Sequence, residues 1–318
     1  MQATGRPRSA LPIIVGVCLV LVLAVGIVTD ASRTKPPSEP FADDSPFRTP
    51  VASDAPVDPN SAAMVARISR DGVMYANLVE FAIPIYSAGD DTPRIHVKCR
   101  IKDWGPCPFD GHRVPIPENA VPSPGSDGAI VVIDHDRRLV FEFWQAQRHR
   151  EHWTTSFGAV NDLDGSGWGT YENGFSTASG ASRLGGVIRV DEMRRGVIPH
   201  ALALQSDSVC AEIFRAPAVK TDGTYDGPDC IPEGARLRLD PDVDIDTLGL
   251  APAARVVAQA LQTYGAFVID YGGAPLSVSF ERDPAAAHHH PGETYGQLGM
   301  PWDYSMIEVP WEHLEVLA

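Results

Sequence analysis

The chain has 318 residues, with 26 Lys and Arg against 41 Asp and Glu, a formal net charge of −15 and a pI near 5.0. That balance excludes nucleic acid, which needs a basic patch to neutralise phosphates. It also repels an anionic membrane surface, so contact with lipid is left to the N-terminal segment alone.

Residues 11–28 (LPIIVGVCLVLVLAVGIV) carry no charged or strongly polar side chain. At about 1.5 Å per residue, a helix of that length just crosses a hydrocarbon core of about 30 Å. Arg6 and Arg8 precede it, and Asp30, Arg33 and Lys35 follow it. This bias leans towards a cytoplasmic N-terminus over residues 1–10. The pattern predicts a transmembrane anchor over residues 11–29. The alternative is a signal peptide cleaved at the small-x-small step Thr29-Asp30-Ala31. Either reading exports the remainder, as a single-pass membrane protein with its domain outside the cytoplasm or as a secreted one.

Residues 30–60 are rich in Pro, Ser, Ala and Asp without apolar periodicity, which predicts a disordered stalk. The globular domain is expected over residues 61–318. A short helix opens it, with Ser61 as cap, Met64, Val65 and Ile68 on one face and Gly72 as stop. Runs of strand character follow between Gly, Pro and Asp turns: LVEFAIPIYS, RIHVKCRI, GAIVVIDHDRRLVFEFWQA, RLGGVIRV, VIPHALALQ, RLRLDP, AFVIDYGG and PLSVSFERD. The one long helix is APAARVVAQALQTYG. Pro252 suits its first turn, Val256, Val257, Ala260, Leu261 and Tyr264 form a stripe, and Gly265 stops it. The fold class expected is mainly β, a β-sandwich or jelly-roll-like domain with one packed amphipathic helix.

Cys18 lies in the apolar segment, leaving Cys99, Cys107, Cys210 and Cys230 in the exported domain. Of three pairings, Cys99–Cys107 with Cys210–Cys230 is preferred, because each closes a loop rich in Pro, Gly and Asp. No CxxC pair supports zinc, and an oxidising compartment favours disulfides.

Residues 128–146 read as a hairpin turning at 134–138. Alternation puts Leu139, Phe141 and Phe143 on one face and Val140, Glu142 and Trp144 on the other. A carboxylate beside an indole suits a sugar-binding groove, and Asp127 and Asp134 bracket the preceding strand. The plainer reading is a solvent-facing strand with acidic turns. Asp162, Asp164 and Ser166 carry the D-x-D-x-S-G opening of a calcium loop, with Asn173 where the closing Glu belongs. They are candidate ligands for a structural calcium; no other cofactor is required. The small-residue loop 176–186 lacks the G-x-S-x-G elbow of a serine hydrolase. His200 shares a face with Ile198, Leu202 and Leu204 and reads as a satisfied core residue or a buried acid, base or orienter. Arg236 and Arg238 alternate with Leu237 and Leu239, facing a substrate carboxylate or pairing with the abundant acids. His288, His289 and His290 read as a loop ahead of Pro291-Gly292.

GSDGAIVVIDHDRRLVFEFWQA, SGWGTYENGFSTASGASRLGGVIRVDEMRRGVIPHALAL, IPEGARLRLDPDVD and ALQTYGAFVIDYGG, in that order, resemble a group of exported, β-rich proteins of actinobacteria and other soil bacteria. The shared features are G-x-I-x-H-A-L, here Gly196 to Leu202, and P-x-G-x-R-L-R-L, here Pro232 to Leu239. The resemblance spans roughly residues 115–283. It implies export and a β-rich fold, and no reaction.

The residues themselves point to a glycan-active enzyme, a glycoside hydrolase or lyase using paired carboxylates. Glu142 with Asp134 or Asp127 would form the pair, and His200 would tune or orient it. Trp144 and Trp168 would stack on sugar, and Arg236 and Arg238 would contact substrate. The expected partner is a polysaccharide or cell-envelope glycan. The alternatives are a non-catalytic glycan-binding or adhesion module using the same Trp face, or an envelope scaffold.

Overall fold

A computed structural model describes residues 40–150 and 152–318, with Met1, Gln2 and Gly5. The expected anchor over 11–29 and the first part of the stalk lie outside the described residues. Among the described residues no helix is long and apolar enough to cross a membrane.

The chain from Pro40 onwards forms one compact unit, mainly β, with mixed sheets and four α-helices among the described residues. The larger sheet has seven strands in the order Met306–Ile307, Met74–Asn77, Ser277–Ser279, Leu202–Ser206, Ala266–Tyr271, Arg236–Leu239 and Leu314–Val316. Met74–Asn77 runs parallel to Ser277–Ser279, and Leu202–Ser206 parallel to Ala266–Tyr271; the other four pairings are antiparallel. The second sheet has four strands, Phe157–Asp162, Leu139–Trp144, Ile130–Asp134 and Ile85–Ala88. Its centre is the expected hairpin, in register from Ile130 opposite Phe143 to Asp134 opposite Leu139.

The Pro252–Thr263 helix forms where the apolar stripe places it, burying Val256, Val257, Ala260 and Leu261. Each Val or Leu side chain so taken out of water contributes about 1.5–3 kcal/mol. Gly265, at φ +70°, ends the helix by returning its N–H to Ala260 O at 3.1 Å. A Cβ there would lie 2.3 Å from Leu237 O, so only glycine fits the stop. The Ser61–Ile68 helix buries Met64, Val65 and Ile68 as expected. Ser61 is its first residue and not its cap; its hydroxyl instead accepts the Val316 N–H at 2.8 Å.

Two further expectations need correction. Residues 40–60 are not a stalk: Phe41 and Phe47 are buried, Phe41 N–H bonds Leu163 O, and Val51 N–H bonds Thr263 O. Two isolated aromatics anchor a segment whose average composition resembles disorder. RLGGVIRV is not a strand; Ile188 makes a single bridge to Phe280, and Val190 begins a short helix. Conversely Phe157–Asp162 pairs along the whole of Leu139–Trp144, although its Gly, Asn and Asp weaken the strand signal.

Candidate functional site

Both expected disulfides are formed, Cys99–Cys107 and Cys210–Cys230. Each closes a loop that delivers side chains to the same cleft. The 99–107 loop carries Trp104, 60% exposed, which stacks on Trp144 at 5.7 Å and meets Phe157 edge-on at 5.6 Å. The 210–230 loop carries Lys220 and Asp222.

The cleft comprises a cavity of about 540 Å³ walled by Trp104, Trp144, Phe157, Tyr171 and Phe175 and a neighbouring cavity of about 650 Å³ reaching Tyr75, Phe81, Gln205 and Tyr304. Asp127, Arg183, Asp270 and Tyr271 line both. These volumes fall in the range of small-molecule sites, about 300–1,000 Å³.

Asp127 accepts the Trp144 Nε1–H at 3.4 Å and lies 3.4 Å from Arg183 Nη1. Asp270 sits near the end of Ala266–Tyr271, where the ladder shifts register. Leu204 opposes Val268 while Gln205 opposes Asp270, leaving Ile269 as an extra residue. Such a bulge re-aims the side chains beyond it. The turned Asp270 accepts the Ala178 N–H at 3.1 Å. Asp222 accepts the Tyr271 N–H at 3.3 Å. Behind them Glu233, at the end of Ile231–Glu233, is fully buried, and among the described residues its carboxyl meets no N–H or hydroxyl donor, only the Asp222 carboxyl.

Asp222, Glu233 and Asp270 each bring an oxygen within 4.8 Å of the others. Desolvation, then the neighbouring Asp270 and Asp222 charges, push the Glu233 carboxyl up to about 10. Desolvation raises Asp270 to about 7 against the pull of Arg183. Desolvation also lowers Lys220, whose Nζ lies 5.0 Å over the Phe175 ring and 3.4 Å from Thr177 O. A cluster so crowded resists holding three negative charges without a compensating cation.

Of the residues that the sequence points to, the structure brings Asp127 and Trp144 together in the cleft. Glu142 does share Val140's face, as alternation requires, yet that face is covered rather than open. Its carboxylate is sealed by the Ser176 and Ser182 hydroxyls, Arg183 N–H at 3.0 Å and Leu184 N–H at 3.3 Å. Asp134 is buried at the hairpin turn between Arg94 at 2.9 Å and Arg137 at 3.2 Å. His200 is buried against Glu192 at 3.1 Å and Ala201 O at 2.9 Å, the satisfied core arrangement.

Trp168 stacks on Phe47 at 5.4 Å. Arg236 donates to Tyr264 O at 3.0 Å, and Arg238 to Glu315 at 2.8 Å. None of these last three lines either cavity. In the calcium-like loop Asp162 accepts the Asp164 N–H at 2.8 Å, Asp164 pairs with Arg138, and Ser166 bonds Trp168 backbone.

Sequence patterns alone do not single out Trp104, Arg183, Lys220, Asp222, Glu233 or Asp270. The legible signal for two of them is position: Lys220 and Asp222 lie between paired cysteines.

Comparison with protein-family models, curated proteins and solved structures gives no match.

Proposed function

We propose that the protein is a glycan-active enzyme working outside the cytoplasm, and that the cleft hydrolyses glycosidic bonds in a polysaccharide or cell-envelope glycan. The observation that carries this reading is the placement of Asp127 and Asp270 in one open cleft beside the stacked Trp104–Trp144 pair. Glycosidic cleavage needs one carboxylic acid to protonate the departing oxygen. A second carboxylate takes a proton from water or attacks the sugar. Asp127 and Asp270 are the two we assign, replacing Glu142, Asp134 and His200. Trp104 and Trp144 are the stacking platform, and Arg183 positions Asp127.

Export is supported by two disulfides, which persist in oxidising compartments. The scaffold in this reading is sandwich-like. The four-stranded sheet packs Val131 and Val140 against Leu184 and Val187, and the seven-stranded sheet packs Ala203, Phe267 and Ile269 against Phe47 and Ala181.

A second reading, a binding module without catalysis, draws on the 60% exposure of Trp104, an indole face already presented to solvent. One experiment separates the two. The purified protein is incubated with peptidoglycan, arabinogalactan and common plant and bacterial polysaccharides, and products are followed by mass spectrometry with Asp127→Asn and Asp270→Asn in parallel. Cleavage by the wild type that is lost in both variants supports the hydrolase. Retention of a glycan without cleavage favours the binding module. Cleavage surviving both substitutions overturns the assignment of the pair.

A further inference from the structure

Buried carboxylates in folded proteins are paired with a cation, hydrogen-bonded, or neutralised, because an isolated ion loses its hydration without return. Glu233 has no exposed surface, and among the described residues its oxygens meet no N–H or hydroxyl donor; the one hydrogen-bonding neighbour is the Asp222 carboxyl, within the cluster itself. Its oxygens lie beside those of two more carboxylates, Asp222 and Asp270. The nearby Arg183 guanidinium is engaged by Asp127. Lys220 is close: its ammonium donates to Thr177 O and lies over the Phe175 ring, and its charge acts on all three carboxylates without a direct salt bridge to any of them among the described residues.

We infer that Asp222, Glu233 and Asp270 form a binding site for one divalent cation, calcium by preference, in the floor of the cleft. Calcium takes oxygen ligands at about 2.3–2.6 Å, so two ligands on opposite sides of one ion stand at most about 4.6–5.2 Å apart. The three oxygens, all within 4.8 Å of one another, meet that limit. Magnesium, near-octahedral at about 2.0–2.1 Å, keeps several waters and is bound through one or two carboxylates, so a trio of carboxylates suits calcium. Three carboxylates leave about three to five positions of calcium's six to eight for water or for hydroxyls of a bound molecule. Asp222 is exposed, Asp270 partly exposed and Glu233 buried, so the open side of the ion faces the cavity. Among the described residues no other His, Cys, Asp or Glu group has this spacing. All three protein ligands lie on this chain, so cation binding is measured apart from glycan cleavage; Asp270 belongs to both assignments, and with the ion bound it is the ionised carboxylate of the pair, with Asp127 as the acid.

The test uses the whole chain, stripped with a chelator and titrated with calcium by calorimetry in the absence of any glycan. Terbium emission sensitised by the cleft indoles serves as a second readout. One equivalent of calcium is expected to bind, to raise the midpoint of thermal unfolding as linkage requires, and to displace terbium. Glu233→Gln and Asp222→Asn should each weaken binding at least tenfold. Asp222→Asn, on the exposed side, covers the case in which the buried substitution fails to fold. Asp164→Asn, in the 162–167 loop, should leave affinity within twofold. Absence of calcium binding by the wild type overturns the site and leaves the cluster neutralised by protons. Binding lost in Asp164→Asn and kept in Asp222→Asn overturns it in favour of the 162–167 loop. Both readouts are taken without glycan, so a failed cation site and a failed hydrolase are told apart.

Discussion

Glu142 accepts the backbone N–H of Arg183 at 3.0 Å, and the guanidinium of that same arginine reaches Asp127 at 3.4 Å. The carboxylate behind the wall therefore holds the residue that holds the carboxylate in the cleft. Two more of its bonds fix Ser176 and Ser182, so Glu142 is a buried clasp on the 176–184 loop. Its hydrogen bonds satisfy what burial alone would make unfavourable.

Glu142→Ala is expected to destabilise the fold by about 3 kcal/mol or more, since it leaves the Ser176 and Ser182 hydroxyls and the Arg183 N–H without an acceptor, while the Leu184 N–H keeps only Ser182 Oγ. Asp127→Asn, at a side chain 36% exposed, should shift stability by no more than about 1 kcal/mol while abolishing cleavage. Denaturant titration alongside the glycan assay checks both. A Glu142→Ala protein of wild-type stability that has lost activity would return Glu142 to the chemistry.

Trp104 presents its outer face to solvent and its inner face to Trp144. Removing the indole takes away apolar area worth about 1–2 kcal/mol to a stacked sugar, or about tenfold in affinity. Trp104→Ala should weaken glycan binding by that factor and leave the unfolding midpoint nearly unchanged. Trp168→Ala should do the reverse, because Trp168 is packed between Phe47 and Phe267. Equal glycan affinity in wild type and Trp104→Ala would remove the stacking platform from the site.

Legibility in the sequence depends on range. The Pro252–Thr263 helix, the 130–144 hairpin and both disulfides follow from periodicity, alternation and local spacing. Alternation also puts Glu142 on the correct face. It carries no information about what covers that face, a loop some forty residues further on. Asp270 is illegible for a related reason. In an unbroken ladder it would share a side with Ala266 and Val268, and only the bulge at Ile269 turns it into the cleft. Glu233 and Asp222 meet Asp270 through pairings between distant segments, which no local pattern records.

The Cys210–Cys230 bridge restrains the loop that supplies Lys220 and Asp222. Replacing both cysteines with serine should destabilise the protein by about 2–4 kcal/mol. It should also weaken calcium binding, since one of three ligands loses its tether. The matching Cys99→Ser/Cys107→Ser protein should lose glycan affinity through Trp104 and retain calcium. Calorimetry on the two double variants reads both effects. The same loss of calcium affinity in both would point to general loosening rather than to separate loops.

Asp58 ties the 40–60 segment, stalk-like in composition, to the body of the domain. It pairs with Arg215, whose other nitrogen bonds Leu317 O at 3.0 Å, and it accepts the Asn60 N–H at 2.6 Å. The Asn60 N–H first, and Arg215 with it, hold the Asp58 carboxyl below its ordinary value against the opposing effect of burial. A carboxyl whose folded pKa lies below the unfolded one stabilises above the unfolded value, about 3.9. That stability is lost as pH falls through the folded value. Wild type should therefore exceed Asp58→Asn in unfolding free energy at pH 7, and the gap should narrow below about pH 4. Urea titrations of both proteins at about pH 7, 5 and 3 measure it, spanning the carboxylate range. A gap that widens on acidification would mean that Asp58 is not held ionised by these partners, and that the segment is anchored by its other contacts, Phe41, Phe47 and the Val51 N–H among them.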